Sequence, residues 1–123
     1  MKFANYLTEE SLLKALDKIQ WHDLTPVQEQ VIPRWMKPMN IVVQAKTGSG
    51  KTGAYLLPVL ERINWEENAP QCLILVPTRE LAKQVKADVE GLGKYKRIKC
   101  VALIGKEPMA FQIQDMKQKC HVA

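Results

Sequence analysis

No stretch of the 123-residue chain offers the run of about 20 apolar residues that crosses a bilayer. The first ten residues, through Glu9 and Glu10, lack the apolar core of a signal peptide. Neither a membrane partner nor secretion is expected. Cysteine is scarce: Cys72, Cys100 and Cys120 are odd in number and widely spaced, and no C-x-x-C pair occurs. That argues against a disulfide framework and against a zinc site. Cys72 lies in an apolar run, where a buried thiol serves as a small hydrophobe, and a reducing, cytoplasmic compartment fits this usage. Internal repeats and low-complexity stretches are also missing. With 46% hydrophobic and 25% charged residues the chain has the balance of a globular protein, not a disordered one. Its length suffices for a core without staples.

Charge is present and uneven. Eighteen Lys and Arg against thirteen Asp and Glu leave a net +5, and the excess gathers late, in Lys94-Tyr95-Lys96-Arg97-Ile98-Lys99 and then Lys106, Lys117 and Lys119. Such a segment permits a polyanionic partner. A solvated basic face is the plainer reading of charge alone.

The apolar period changes along the chain. Residues 8–20 predict a helix, with Thr8 as its cap and Leu12, Leu16 and Ile19 on one face. Thr25-Pro26-Val27-Gln28 predicts the start of a second helix, with a capping residue, Pro at the first helical position and Gln at the third. Pro33 should bend or end it early. Ile41-Val42-Val43 reads as a buried strand, broken by Gly48-Ser49-Gly50. A helix follows from Lys51, then a strand from Cys72 to Val76. A helix marked by Leu81, Val85 and Val89 closes at Gly91 and Gly93. A strand from Cys100 to Ile104, a helix over 108–118 and the start of a fourth strand at His121 complete the pattern. Alternating strands and helices predict an α/β fold with a parallel sheet flanked by helices, and fully apolar strands predict a sheet covered on both faces.

The sharpest chemical signal is Ala45-Lys46-Thr47-Gly48-Ser49-Gly50-Lys51-Thr52. It matches the phosphate-loop pattern G-x-x-x-x-G-K-[ST] except for Ala45 at the first position, and it lies between a strand and a helix, as that motif requires. Gly48 and Gly50 allow the backbone to turn its N–H groups around phosphate oxygens, and the helix N-terminus adds positive potential. Lys51 can reach the β and γ phosphates, and Thr52 offers a hydroxyl to Mg²⁺. A nucleotide and Mg²⁺ are therefore the expected ligands of Lys51 and Thr52; the loop alone means nucleotide binding, not a reaction. Phosphoryl transfer also needs an acid at the end of a neighbouring strand. No apolar run here ends in Asp or Glu: one ends at Pro77, another at Gly105.

Pro77-Thr78-Arg79-Glu80-Leu81-Ala82 follows the second predicted strand. With the phosphate loop, and with Thr25 and Gln28 upstream of it, this sequence resembles the DEAD-box RNA helicases. The likeness covers nearly the whole chain and is to bacterial members, including the branch that acts on ribosomal RNA. It implies a partial RecA-like domain, with residues 1–39 as the Q-motif region and residues 40–123 carrying the phosphate loop, motif Ia and a glycine-doublet region. It further implies that Gln28 reads adenine with Thr25 in support, and that Pro77, Thr78, Arg79, Glu80, Gly105 and Lys106 contact RNA backbone. A Gln amide can both donate to and accept from the N6/N7 edge of adenine; the same Gln can instead complete the capping box with Thr25. Phe3, where the family has an isolated aromatic, can stack near the base or anchor the N-terminus. Arg79 can meet phosphate or pair with Glu80.

The sequence departs from the family pattern at several points. Gln20 and Leu24 replace a Gly and a Pro, Asn40 replaces an Asp, Gly53 replaces an Ala, and Lys106 replaces the second glycine of the doublet. The D-E-A-D, S-A-T and T-P-G-R motifs and the second RecA-like domain with its arginine finger are not in these residues. The expectation is an N-terminal portion of such a helicase, ending before the D-E-A-D strand. It should lack ATPase and unwinding activity on its own and depend on the remainder of the enzyme; the alternative is a non-catalytic nucleotide- or RNA-binding module.

Overall fold

The computed structural model describes residues 2–35, 37, 39–46, 48, 50–105, 109–117 and 120–123. The chain forms two compact units, Met1–Arg62 and Ile63–Ala123.

In the first unit, Leu12, Ala15 and Leu16 recur on one side and bury the inner face of α1 (Glu10–Lys18). Thr8 does not cap this helix as expected. Its hydroxyl, at 2.9 Å, and its N–H both donate to Glu61 Oε1, which also accepts the Glu9 N–H at 2.8 Å. A carboxylate takes the orphan donors of a helix start more strongly than a hydroxyl does. The other end of α1 closes with the Trp21 N–H on the Leu16 carbonyl (2.9 Å) and the Gln20 N–H on that of Asp17 (3.1 Å). That is a Schellman turn, and it places Gln20 at φ 60. A non-glycine residue in this left-handed region costs roughly 1–2 kcal/mol. Gln20→Gly is therefore expected to raise the unfolding free energy by about 1 kcal/mol, measurable by urea denaturation.

Helix α2 (Pro26–Trp35) begins as the sequence predicts. Gln28 Oε1 accepts the Thr25 N–H at 2.9 Å, and Thr25 Oγ1 accepts the Gln28 N–H at 3.4 Å. Pro33 lies inside the helix instead of ending it; only two residues follow, so little helix remains to be broken. Helix α3 (Lys51–Arg62) buries Leu56, Leu57, Pro58 and Leu60 and packs on α2. The run around Ile41–Val43, expected to be a buried strand, forms no ladder among the described residues, and Val42 is 98% exposed. A parallel strand is buried only when covered on both faces, and a groove of about 730 Å³ lies between this run and α2.

In the second unit three extended stretches meet through two isolated parallel bridges, Cys72↔Val122 and Cys100↔Val122. Val122 thus sits between the other two. Backbone bonds support this order: Ile74 N–H to Ala123 O at 2.8 Å, Ala123 N–H to Cys72 O at 3.1 Å and Val101 N–H to Val122 O at 2.9 Å. Each crossover between them carries a helix, α4 (Arg79–Leu92) and α5 (Met109–Lys117). The parallel direction agrees with the prediction, but no continuous strand forms among the described residues. The expected cover on both faces is also missing: Leu73, Leu75 and Leu103 are 69%, 85% and 51% exposed, while Cys100, Val101 and Val122 are buried. Of the two glycines expected to close α4, Gly91 is inside it and Gly93 caps it, its N–H on Val89 O at 2.8 Å. His121 is fully buried; Nδ1 accepts the Lys99 N–H at 3.1 Å, so Nε2 donates to the Trp65 carbonyl at 2.8 Å.

Candidate functional site

In the first unit the glycine-containing loop from Ala45 leads into α3. Gly48 and Gly50 adopt φ +83 and +94, values that favour glycine. The two glycines differ in their surroundings. A Cβ on Gly48 would meet nothing within 4 Å, whereas one on Gly50 would lie 2.6 Å from Thr25 Oγ1 and 2.9 Å from Gln28 Nε2. The Lys51 ammonium donates to the Ala45 carbonyl, across the loop. Thr52, the second residue of α3, is half-buried. Lys46 is exposed and Ala45 half-buried. Thr47 and Ser49 lie outside the described residues.

Gln28 joins this loop to the start of α2. Only 2% exposed, it bonds Thr25 through Oε1 and donates through Nε2 to the Gly50 carbonyl at 3.1 Å. A neutral amide has four hydrogen-bonding positions; one N–H and one lone pair of Gln28 remain after these contacts. A cleft of about 390 Å³ beside it is lined by Phe3, Thr25, Gln28, Gly48 and Gly50, together with Gln20, Trp21, His22 and Asp23. Phe3 is 2% exposed and donates its N–H to the His22 carbonyl at 3.1 Å, a geometry that anchors the N-terminus. Lys2 pairs with Asp23 at 2.8 Å, and the bond from Lys2 holds the Asp23 carboxyl below the usual carboxylate range.

Trp21, His22 and Asp23 escaped the sequence reading because they look like a plain connector between two helices. The available signal was their composition, with an aromatic, an imidazole and an acid together just before the Thr25 cap.

In the second unit a cleft of about 540 Å³ runs along the parallel stretches, walled mainly by apolar residues of 73–76 and 100–104, and Pro77, Thr78, Arg79 and Gly105 line its end. Thr78 caps α4, its Oγ1 accepting the Leu81 N–H at 3.1 Å. The first turn of α4 thereby directs its remaining N–H groups outward. Arg79 and Glu80 are exposed, and no ion pair joins them among the described residues. Gly105 is exposed, with nothing within 4 Å of an added Cβ. Packing therefore does not require this glycine. Lys106 lies outside the described residues. Burial pushes the Cys100 thiol up to about 11 and raises Cys72 and Cys120 as well, which disfavours the nucleophilic thiolate.

Comparison with known proteins gives a consistent result. The family described as DEAD/DEAH box helicase matches residues 25–123. An ATP-dependent RNA helicase DbpA of Bacillus subtilis is 45% identical over 120 residues, covering 98% of this chain and 25% of that protein. An ATP-dependent RNA helicase CshA of Limosilactobacillus reuteri is 38% identical over 118 residues, covering 96% of this chain and 24% of that protein. Among solved structures, a DEAD box protein from Methanococcus jannaschii superposes with a TM-score of 0.89 at 32% identity, over 99% of this chain and 33% of that one. The RNA helicase Prp28 from Chaetomium thermophilum bound to ADP does so with a TM-score of 0.79 at 27% identity, over 93% and 29%. The chain thus spans about a quarter of the length of the relatives it matches.

Proposed function

The chain belongs to the DEAD/DEAH box helicase family, and from that premise we propose that it is the ATP-grasping N-terminal part of an RNA helicase. The observation that carries the proposal is the bond from Gln28 Nε2 to the Gly50 carbonyl, which ties a base-reading amide to the turn that holds phosphate. The cleft beside Gln28 takes adenine. The remaining N–H of the amide meets the N7 acceptor and its lone pair the N6–H donor of the base edge, a pairing that guanine, with O6 in place of the amino group, does not offer. The loop from Ala45 to Thr52, including Lys46, Thr47, Gly48 and Ser49, surrounds the triphosphate, with Lys51 leaving the Ala45 carbonyl for phosphate oxygens. Thr52 is the residue to hold Mg²⁺, which supplies charge neutralisation between phosphates when bound. The lysine and the two left-handed glycines suit the phosphates, whereas for Mg²⁺ the described part of the loop offers only the Thr52 hydroxyl, and no carboxylate cluster stands beside it among the described residues.

The cleft of the second unit takes RNA backbone. Pro77, Thr78, Arg79 and Glu80 present a helix start and a guanidinium to phosphate, and Gly105 lines the same end; Lys106, outside the described residues, is proposed as a further phosphate contact. Structured or ribosomal RNA is the proposed partner in the longer protein, and the cytoplasm the proposed location. There the Ile41–Val43 run and the parallel stretches would gain neighbouring strands and become a sheet. The 123 residues alone should hydrolyse ATP no faster than background, because among the described residues no acid stands at the end of an extended stretch. RNA-stimulated turnover by these residues alone, abolished by Lys51→Ala, would overturn that part of the proposal. Arg79→Ala is expected to weaken RNA binding about tenfold at low salt and to flatten its salt dependence by about one phosphate contact; filter binding across a salt series measures both.

A further inference from the structure

We propose that Gln112 is a positioning residue for the turn at Gly105, and through that turn for the grip of the second-unit cleft on RNA backbone. The inference rests on the RNA reading of that cleft. The extended stretch 100–104 is tied at its start to a neighbouring stretch, by the bridge between Cys100 and Val122 and by the bond from the Val101 N–H to the Val122 carbonyl (2.9 Å). Its far end is held differently. Gln112, in the first turn of α5, accepts the Ile104 N–H through Oε1 at 2.9 Å and donates through Nε2 to the Ile104 carbonyl at 2.8 Å. One side-chain amide thus gives both backbone groups of the last residue the partners that a neighbouring strand would give. An amide suits this task because it carries a donor and an acceptor side by side in one plane.

Gly105 follows directly, at the end of the cleft. Glycine serves where the backbone needs a positive φ or where neighbours leave no room for a Cβ. Neither applies here: the φ of Gly105 lies outside the left-handed region, and an added Cβ would meet nothing within 4 Å. The use that remains for a bare Cα is close approach by a group from outside, which in a cleft that takes RNA is the sugar–phosphate backbone. Such a turn has to stand in one orientation. The Ile104 carbonyl and the Gly105 N–H belong to the same planar, trans peptide and point in opposite directions. Anchoring that carbonyl on Gln112 therefore aims the Gly105 N–H away from α5. Gln112 does not line the cleft; it acts only through this peptide.

The test compares the 123-residue chain with its Gln112→Met variant by two measurements: filter binding of a single-stranded oligouridylate at low salt, and NMR exchange of backbone amide hydrogens. Methionine favours a helix but offers Ile104 neither bond. The lost bonds predict exchange of the Ile104 amide about tenfold faster and RNA affinity about tenfold weaker, while the Val89 amide in α4 keeps its protection. Gly105→Ala should also weaken RNA binding about tenfold, and the double variant should be no worse than either alone, because both act on one element. Unchanged Ile104 exchange, or faster exchange with unchanged RNA affinity, overturns the inference and leaves the RNA reading standing. A double variant about a hundredfold weaker does the same, since Gln112 would then act apart from Gly105. Loss of Val89 protection together with RNA binding would make Gln112 a general support of the unit and also overturns the inference. If the unsubstituted chain does not bind the oligouridylate, the RNA reading is overturned and the role of Gln112 falls with it.

Discussion

Replacing Lys51 by alanine is expected to weaken ATP·Mg²⁺ binding by about 10- to 100-fold and to leave the fold intact. A hydrogen bond to a charged group is worth about 1.5–3 kcal/mol, and the ammonium is the one side-chain cation at the first position of α3. Without nucleotide it donates to the Ala45 carbonyl, which solvent can replace because the residue is half-buried and not enclosed. The melting temperature should therefore change little, within the ±0.5 kcal/mol of ordinary surface substitutions. Calorimetric titration together with a thermal melt separates the two effects. A variant that loses affinity only because it unfolds would show both changes, and would remove Lys51 from the site.

Gly50→Ala should be the most damaging substitution in the loop. It combines two penalties. At φ +94 a side chain is strained, at a cost of roughly 1–3 kcal/mol. The new Cβ would also overlap Thr25 Oγ1 at 2.6 Å and Gln28 Nε2 at 2.9 Å, and such overpacking typically costs a further 1–3 kcal/mol. The sum, about 2–6 kcal/mol, is a large part of the stability of a small domain. It falls on the contact that joins α2 to the phosphate loop, so ATP binding should vanish as well. Gly48→Ala is the internal control. It shares the left-handed backbone, at φ +83, but has open space around the added carbon, so only the strain penalty applies. Urea denaturation of the two variants should rank Gly50→Ala clearly below Gly48→Ala. The reverse order would mean that the packing of Thr25 and Gln28 on the loop is not as described.

Local features were the legible ones. The start of α2 followed from Thr25, Pro26 and Gln28, because a capping box is written within four residues. The left-handed turns at Gly48 and Gly50 and the helix start at Lys51 followed from glycine spacing for the same reason. What escaped depends on partners distant in sequence. Glu61 caps α1 from a position 52 to 53 residues away, and nothing near Thr8 announces it. Gln28 reaches Gly50 across 22 residues, so its bridging role was hidden behind its capping role. Gln20 takes a left-handed conformation that its own chemistry does not favour; only the family resemblance, with Gly at that place, pointed there. The β-branched run at Ile41–Val43 was readable as extended chain, but pairing is a property of neighbours, and none pairs with it among the described residues. The placement of Pro77, Thr78 and Arg79 with Gly105 on one cleft follows from parallel order, since parallel stretches bring their C-terminal ends to the same side.

The central claim is that one amide, Gln28, reads the base while the loop it touches holds the phosphates. Calorimetric titration of the 123-residue chain with ATP and GTP in the presence of Mg²⁺, repeated on Gln28→Ala, tests it most directly. The account predicts that ATP binds at least about tenfold more tightly than GTP and that Gln28→Ala removes the difference. Equal affinities in the unsubstituted chain, or a preference that survives Gln28→Ala, would contradict it.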